Sequence, residues 1–194
     1  MPARRFANAA ELPEGFLYQP DFLSEAEEAA LRRTIETLEF GAYNFRGYIA
    51  RRRVVTYGAG YDSGSRRMTI TDKAIPVFLT PIRDRAAAVA GMRVEEIGQA
   101  MVTEYSVGTP IGWHRDSPQF ETIIGISIGS ACRLRLKPYK GEGKIISVML
   151  EPRSIYVMSG AARWRFQHSI PAVKELRYSV TFRSLKEKEK IRAA

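Results

Sequence analysis

Apolar residues recur at two intervals along this chain, and the change of interval divides it. In the first half, Leu31, Ile35 and Leu38 fall at helical spacing behind Ser24-Glu25-Ala26-Glu27, a capping-box pattern, which predicts a surface helix over residues 24–39. Thr80-Pro81 predicts a second helix, because proline suits the first helical position. An alanine-rich stretch carries it through Ala90, and Gly91 is a suitable stop. After residue 95 the interval shortens to two. Ile124, Ile126 and Ile128 share a face, and over residues 132–137 Leu134 and Leu136 point inward between charged neighbours. Further strands are predicted over 144–150, 154–158, 163–168 and 176–183, with Gly141-Glu142-Gly143 as a turn. Short strands separated by turns indicate a mainly β, α+β chain built on a sandwich or barrel. Residues 40–72 read differently. Glycines, tyrosines and arginines dominate there, and the pattern predicts a short strand at 54–57 within surface loops and a hairpin, a setting suited to recognition. One compact domain follows, with an N-terminal extension (1–94), a strand-rich core (95–185) and a charged tail (186–194).

Composition changes this picture in two ways. With 45% hydrophobic and 26% charged residues in 194, the chain can bury a real core. Its one cysteine, Cys132, excludes an internal disulfide framework and points to a reducing, intracellular compartment. No apolar run approaches the roughly 18 residues of a membrane span, and residues 1–15 have no apolar segment of the secretory kind. The net charge of +9 favours polyanionic partners, with clusters at Arg51-Arg52-Arg53, Arg66-Arg67, and Arg133, Arg135 and Lys137. A merely soluble basic protein would carry the same total.

Only two histidines occur, His114 and His168. Asp116 stands two residues after the first, so on an extended segment both side chains share a face and can chelate one ion. His168 must come from another strand, one it shares in parity with Trp164 and Phe166. Two imidazoles and a carboxylate suit Fe(II) with positions left open. Zinc hydrolysis uses the same donors.

Nine residues beyond His168 lies Arg177-Tyr178-Ser179-Val180-Thr181-Phe182-Arg183. Its odd positions are polar and cationic, its even positions apolar. The ends lie roughly 20 Å apart if the strand is straight, and two arginines leaning inward would bracket a small dicarboxylate through planar, bidentate forks. An exposed edge strand with two surface arginines has the same pattern.

Together these motifs resemble the AlkB family of Fe(II)- and 2-oxoglutarate-dependent dioxygenases, which carry His-x-Asp, a distal His and an Arg-x-Asn-x-x-x-Arg strand. Glu104-Tyr105-Ser106-Val107-Gly108 is similar to the family's Tyr-x-x-Gly turn. The resemblance covers residues 95–185 well and the stretch before it loosely. It implies a double-stranded β-helix, or jelly roll, with flanking N-terminal helices. It also implies Fe(II) held by His114, Asp116 and His168, and 2-oxoglutarate held by Arg177 with Tyr105, with Arg183 near the carboxylate beside the iron. Ser179 and Thr103 stand where the family usually has asparagine, and a hydroxyl can still donate a hydrogen bond there.

In that family the region before the core forms a nucleotide-recognition lid. Here it holds Tyr43, Phe45, Arg46, Tyr48, Arg51, Arg52, Arg53 and Tyr57, arginines for phosphates and aromatics for an extruded base. Arg115, beside the metal pair, is expected on the pocket floor. The implied activity is oxidative demethylation of alkylated nucleobases in DNA or RNA, acting as a monomer and with O2, and releasing formaldehyde, succinate and CO2. An oxygenase of the same fold acting on proteins or small molecules, or a nonenzymatic nucleic-acid binding module, are the alternatives.

Overall fold

The side-chain requirements of three α-helices and twelve strands account for the architecture of the described part of this computed structural model, residues 12–45, 48–62, 67–71 and 73–186. Helix α1 (Glu25–Glu36) starts at the capping box: the Glu27 amide donates to Ser24 Oγ at 3.2 Å, and the Ser24 amide donates to the Glu27 carboxylate at 2.7 Å. It buries Leu31 and Ile35 and stops at Thr37, short of residue 39. Replacing Ser24 with alanine would remove one of those bonds and cost about 1 kcal/mol. Helix α2 (Thr80–Val89) has proline in its first turn, buries Ile82, Ala86 and Ala87, and is followed by Gly91 at φ 64°, a left-handed position that glycine accepts readily.

The strands are β1 (Phe16–Gln19), β2 (Gly41–Phe45), β3 (Tyr48–Asp62), β4 (Arg67–Ile70), β5 (Ile97–Tyr105), β6 (Ile111–His114), β7 (Phe120–Ile128), β8 (Cys132–Pro138), β9 (Ile146–Leu150), β10 (Ile155–Met158), β11 (Phe166–Ile170) and β12 (Arg177–Leu185). A larger antiparallel sheet has the order β1-β10-β7-β12-β5-β3-β2, with β4 paired to β3; a smaller one has the order β6-β11-β8-β9. From β5 to β8 the chain passes to the other sheet at every step, and β10, β11 and β12 do so again. This is the winding of a double-stranded β-helix. Strands β1 to β3, from the N-terminal stretch, are woven into the same sheet as the core.

Alternation on the central strands separates two interiors. Ile124, Ile126, Val180 and Phe182 join Ile35 and Leu79 on the helix side of the larger sheet. Ile123 joins Leu134, Leu136, Val148 and Leu150 between the sheets. Each such isoleucine or leucine contributes roughly 1.5–3 kcal/mol by leaving water. β12 is thus a central strand, and the exposed-edge reading of its arginines does not hold.

Two expectations need correction. The short strand at 54–57 is the middle of β3, a fifteen-residue strand. Among its described side chains the buried apolar ones are Val55, Tyr57 and Ala59, so the hydrophobic signal was confined to a few positions. The strand expected over 163–168 begins at Phe166, because Gly160–Trp164 forms a short helix, α3. Trp164 therefore does not share a strand face with His168. Among the described residues no helix is long and apolar enough to cross a membrane. Arg66 and residues 187–194 of the tail lie outside the described residues.

Candidate functional site

Antiparallel pairing of β6 with β11 sets His114 directly opposite His168. Their rings lie 4.3 Å apart between centroids, tilted by 56°. Asp116 follows the end of β6 and brings Oδ2 to 3.5 Å from His168 Nε2. One donor atom from each of the three residues lies within 4.8 Å of the others. His114 Nδ1 is 2.9 Å from the Gly112 carbonyl, which can only accept. Nδ1 therefore carries the proton and Nε2 keeps its lone pair, as a metal ligand requires.

The surroundings hold these groups in ligating states. Burial, followed by His114, pushes the His168 pKa down to about 3 against the attraction of Asp116. Burial likewise lowers that of His114. Burial alone would raise the Asp116 pKa, but Arg183, His168, His114 and Arg163 together hold it well below the usual carboxylate range. Neutral imidazoles beside an ionised carboxylate form the donor set that a divalent first-row ion takes.

Arginines organise this corner. Arg183 donates from Nε and Nη2 to Asp116 Oδ1, at 3.0 and 2.9 Å, and from Nη1 to Gln99 Oε1 at 2.7 Å. Arg163 on α3 donates from Nη2 to the carbonyls of Asp116, Ser117 and Phe120 at 3.1, 2.8 and 3.0 Å, tying down the loop that carries Asp116. Sequence reasoning missed both Gln99 and Arg163; a lone glutamine on a strand and an arginine in an assumed strand carry no local signal of such partners.

Arg177 differs from Arg183. It is 1% exposed, donates from Nη2 to Ser127 Oγ at 3.2 Å, and leaves Nε and Nη1 without partners. Its guanidinium lies 4.8 Å from the centroid of the Tyr105 ring. The pairing of β12 with β5 sets Arg177 opposite Tyr105 and Ser179 opposite Thr103. The Tyr105 hydroxyl is 3.4 Å from Ser179 Oγ, and buried Thr103 Oγ1 has no partner. A buried cation with idle donors costs several kcal/mol unless an anion completes it. The arrangement fits a small carboxylate, and the expected pair of free arginines becomes one, since Asp116 engages Arg183. Tyr156, also missed, faces the same space. Its ring crosses Gly125, where a Cβ would come within 2.3 Å of it, and burial raises its hydroxyl pKa so that it stays a donor.

These groups line a cavity of about 790 Å³ between the sheets. Tyr43, Arg51 and Arg52 border it, with the Arg52 guanidinium 4.2 Å over the Tyr43 ring. Thr56, Thr69, Thr71 and Met101 form a further wall that sequence reasoning did not single out. Arg115 also borders the cavity, stacked 3.5 Å from the Tyr139 centroid and donating to the Trp164 carbonyl at 3.1 Å. Two lid residues are elsewhere. Arg53 turns to the opposite face and grips Glu104 with two bonds, at 2.8 and 3.0 Å. Tyr57 is packed in the core beneath the helices. From Arg52 onward alternation along β3 accounts for this, since Arg53 and Tyr57 have the parity opposite to Arg52 and Thr56; Arg51 lies where the β2–β3 register shifts, and borders the cavity as well. Phe45 and Tyr48 pair in register across β2 and β3, but their side chains, like all of Arg46, lie outside the described residues.

A family model described as "2OG-Fe(II) oxygenase superfamily" matches residues 15–183. The chain is 28% identical over 181 residues to the "Alkylated DNA repair protein ALKBH8 homolog" of Arabidopsis thaliana, covering 81% of this chain and 51% of that protein. It thus spans about half the length of that relative. It is 29% identical over 164 residues to the "Alpha-ketoglutarate-dependent dioxygenase alkB homolog 7, mitochondrial" of Bos taurus, covering 83% of this chain and 69% of that one. Among solved structures, "The structure of OsALKBH1" superposes with a TM-score of 0.67 at 18% identity, over 89% of this chain and 98% of that one, a likeness of fold.

Proposed function

We propose, from the premise that this chain belongs to the 2OG-Fe(II) oxygenase superfamily and is a 2-oxoglutarate-dependent dioxygenase using Fe(II), that it oxidatively demethylates alkylated nucleobases in DNA or RNA. His114 Nε2, His168 and Asp116 Oδ2 would hold the iron. Arg177, with Tyr105, Thr103 and Ser179, would hold the far carboxylate of 2-oxoglutarate, and the idle donors of Arg177 and Thr103 support this role. When bound, iron and co-substrate supply oxidation of a C–H bond by O2, with succinate and CO2 as co-products; a hydroxylated N-methyl group leaves as formaldehyde.

The protein's part is positional. Arg183 keeps Asp116 ionised and turned so that Oδ1 is occupied and Oδ2 faces His168, where it would be left for the iron. Arg163 holds the loop behind it. The walls of the cavity leave the His168 and Asp116 side chains only 12% and 8% exposed, which limits water at the reacting atoms.

The observation that carries the choice of substrate is Arg52 stacked on Tyr43 at the border of the cavity, with Arg51 beside it. A cation backed by an aromatic plane suits a phosphate next to a flipped base. The lone, buried Cys132 agrees with an intracellular setting.

Turnover with Fe(II), 2-oxoglutarate and a panel of methylated DNA, RNA and peptide substrates tests the proposal. Formaldehyde released from an oligonucleotide supports it. Succinate formed with peptides alone would transfer the chemistry to a protein substrate.

A further inference from the structure

The metal pair sits on the inner face of the smaller sheet, and the outer face of the same sheet has a different character. On β8, Leu134 and Leu136 point inward, while Arg133, Arg135 and Lys137 point out. Successive cations on alternate positions stand roughly 7 Å apart. No carboxylate pairs with any of the three among the described residues.

Two of these cations are held in place. Trp113, on the neighbouring edge strand β6, has Arg135 Cζ 5.0 Å and Lys137 Nζ 4.5 Å from its ring centroid. Arg135 also donates from Nε to Ser169 Oγ at 3.0 Å across the β8–β11 pair. Cations already ordered by an aromatic ring and a hydroxyl lose less side-chain freedom when an anion arrives.

The stripe is continuous with the cavity. β6 is the edge of the smaller sheet; its residues Ile111 to His114 border the cavity, and its outward residue is Trp113. β8 lies two strands in from that edge, roughly 10 Å. A polymer that places one unit in the cavity must carry its neighbours out over a rim, and β6 is such a rim. Crossing it leads onto the three cations.

We infer that the outer face of the smaller sheet, through Arg133 and through Arg135 and Lys137 ordered on Trp113, binds the sugar–phosphate backbone flanking the target nucleotide. This rests on the nucleic-acid reading of the cavity and adds a second surface, on the opposite side of the metal strand from the Arg52–Tyr43 border. Regular spacing of like charges on a flat face matches the regular phosphates of one strand.

The test compares the wild-type enzyme with the double variant Arg133→Ser/Lys137→Ser, leaving Arg135 and Trp113 in place. Binding of an unmodified single strand of about 12 nucleotides is followed by anisotropy across salt concentrations. Formaldehyde release is measured on methylated strands of about 3 and about 12 nucleotides. Affinity in about 0.1 M salt should fall on the order of tenfold, and the log–log salt slope should flatten by about 1.4, two contacts at roughly 0.7 each. The fall in KM that the wild type shows on lengthening the strand should shrink. The charge-keeping variant Arg133→Lys/Lys137→Arg should keep the wild-type slope, which separates charge from misfolding.

An unchanged slope and length dependence in the serine variant, with wild-type enzyme active on methylated oligonucleotides, would overturn the surface and leave the function standing. Wild-type enzyme that neither binds nor demethylates any oligonucleotide would overturn the nucleic-acid reading and the surface with it. An equal loss of affinity for a polyglutamate peptide of matched charge would identify a patch for acidic protein instead.

Discussion

Arg183 places two N–H groups on a single oxygen of Asp116, at 3.0 and 2.9 Å, and leaves the other oxygen facing His168. The fork thereby selects which oxygen remains for a metal. A lysine would keep the charge but not the two-point hold. Arg183→Lys should weaken divalent-metal affinity about 10- to 100-fold, the usual consequence of disturbing an outer partner of a ligand. Titration with Co(II), followed by its absorption bands, measures this directly. Unaltered affinity would mean that the loop alone orients Asp116.

Arg177 should behave in the opposite way. Its idle Nε and Nη1 donors make it a cost in the metal- and co-substrate-free protein. Arg177→Met should raise the thermal midpoint of that form and abolish the shift that 2-oxoglutarate induces. The KM for 2-oxoglutarate should rise roughly 10- to 100-fold, as loss of charged hydrogen bonds at about 1.5–3 kcal/mol implies. A lowered midpoint together with an ordinary co-substrate requirement would contradict the anion site.

Neighbouring arginines on β3 should separate cleanly. Arg52→Ser removes the cation stacked on Tyr43 at the cavity border and should raise the KM for a methylated oligonucleotide several-fold. Arg53→Ser breaks an ion pair on the other face, where Arg53 is more than half exposed and solvent screens the pair, so stability and KM should both change little. Comparable KM effects from the two would show that the lid is arranged otherwise.

The buried histidine sets a pH dependence. His168 titrates near 6.5 when unfolded and at about 3 when folded. Between those values the unfolded chain binds the extra proton, so stability of the metal-free protein is full above pH 6.5 and is lost as pH falls toward 3. At pH 5 the loss from this residue is about 2 kcal/mol. The depressed Asp116 adds nothing in this window, because its contribution begins to be lost only below its ordinary value of 3.8. Urea unfolding at pH 7 and pH 5 should show a smaller difference in His168→Gln than in wild type; equal differences would remove His168 as the cause.

Several parts of this site were legible from residue order because they depend on local spacing. His114 and Asp116, two apart, needed only an extended segment to approach one ion. The alternation from Arg177 to Arg183 announced a strand with one polar face, and the capping box at Ser24 announced its helix. The arginine-rich stretch around β3 was legible only in part, since Arg51, Arg52 and Arg53 look alike in a line of text, and the register shift beside Arg51 and Arg52 leaves those two at the cavity and Arg53 on the other face.

Residue order, then, determined the ligand types, the helix starts and the polar face of β12, all consequences of chemistry within a few residues. Tertiary structure alone decided which arginine is free. Arg177 and Arg183 are equivalent in pattern, but packing of the sheets brings Asp116 to Arg183 and leaves Arg177 facing the cavity with idle donors. It likewise decided that Gln99 and Arg163 serve the site, because the atoms they bind lie 84 and about 43–47 residues away along the chain. Contacts at such separations are set by strand register and loop packing, physical facts that no short stretch of sequence contains.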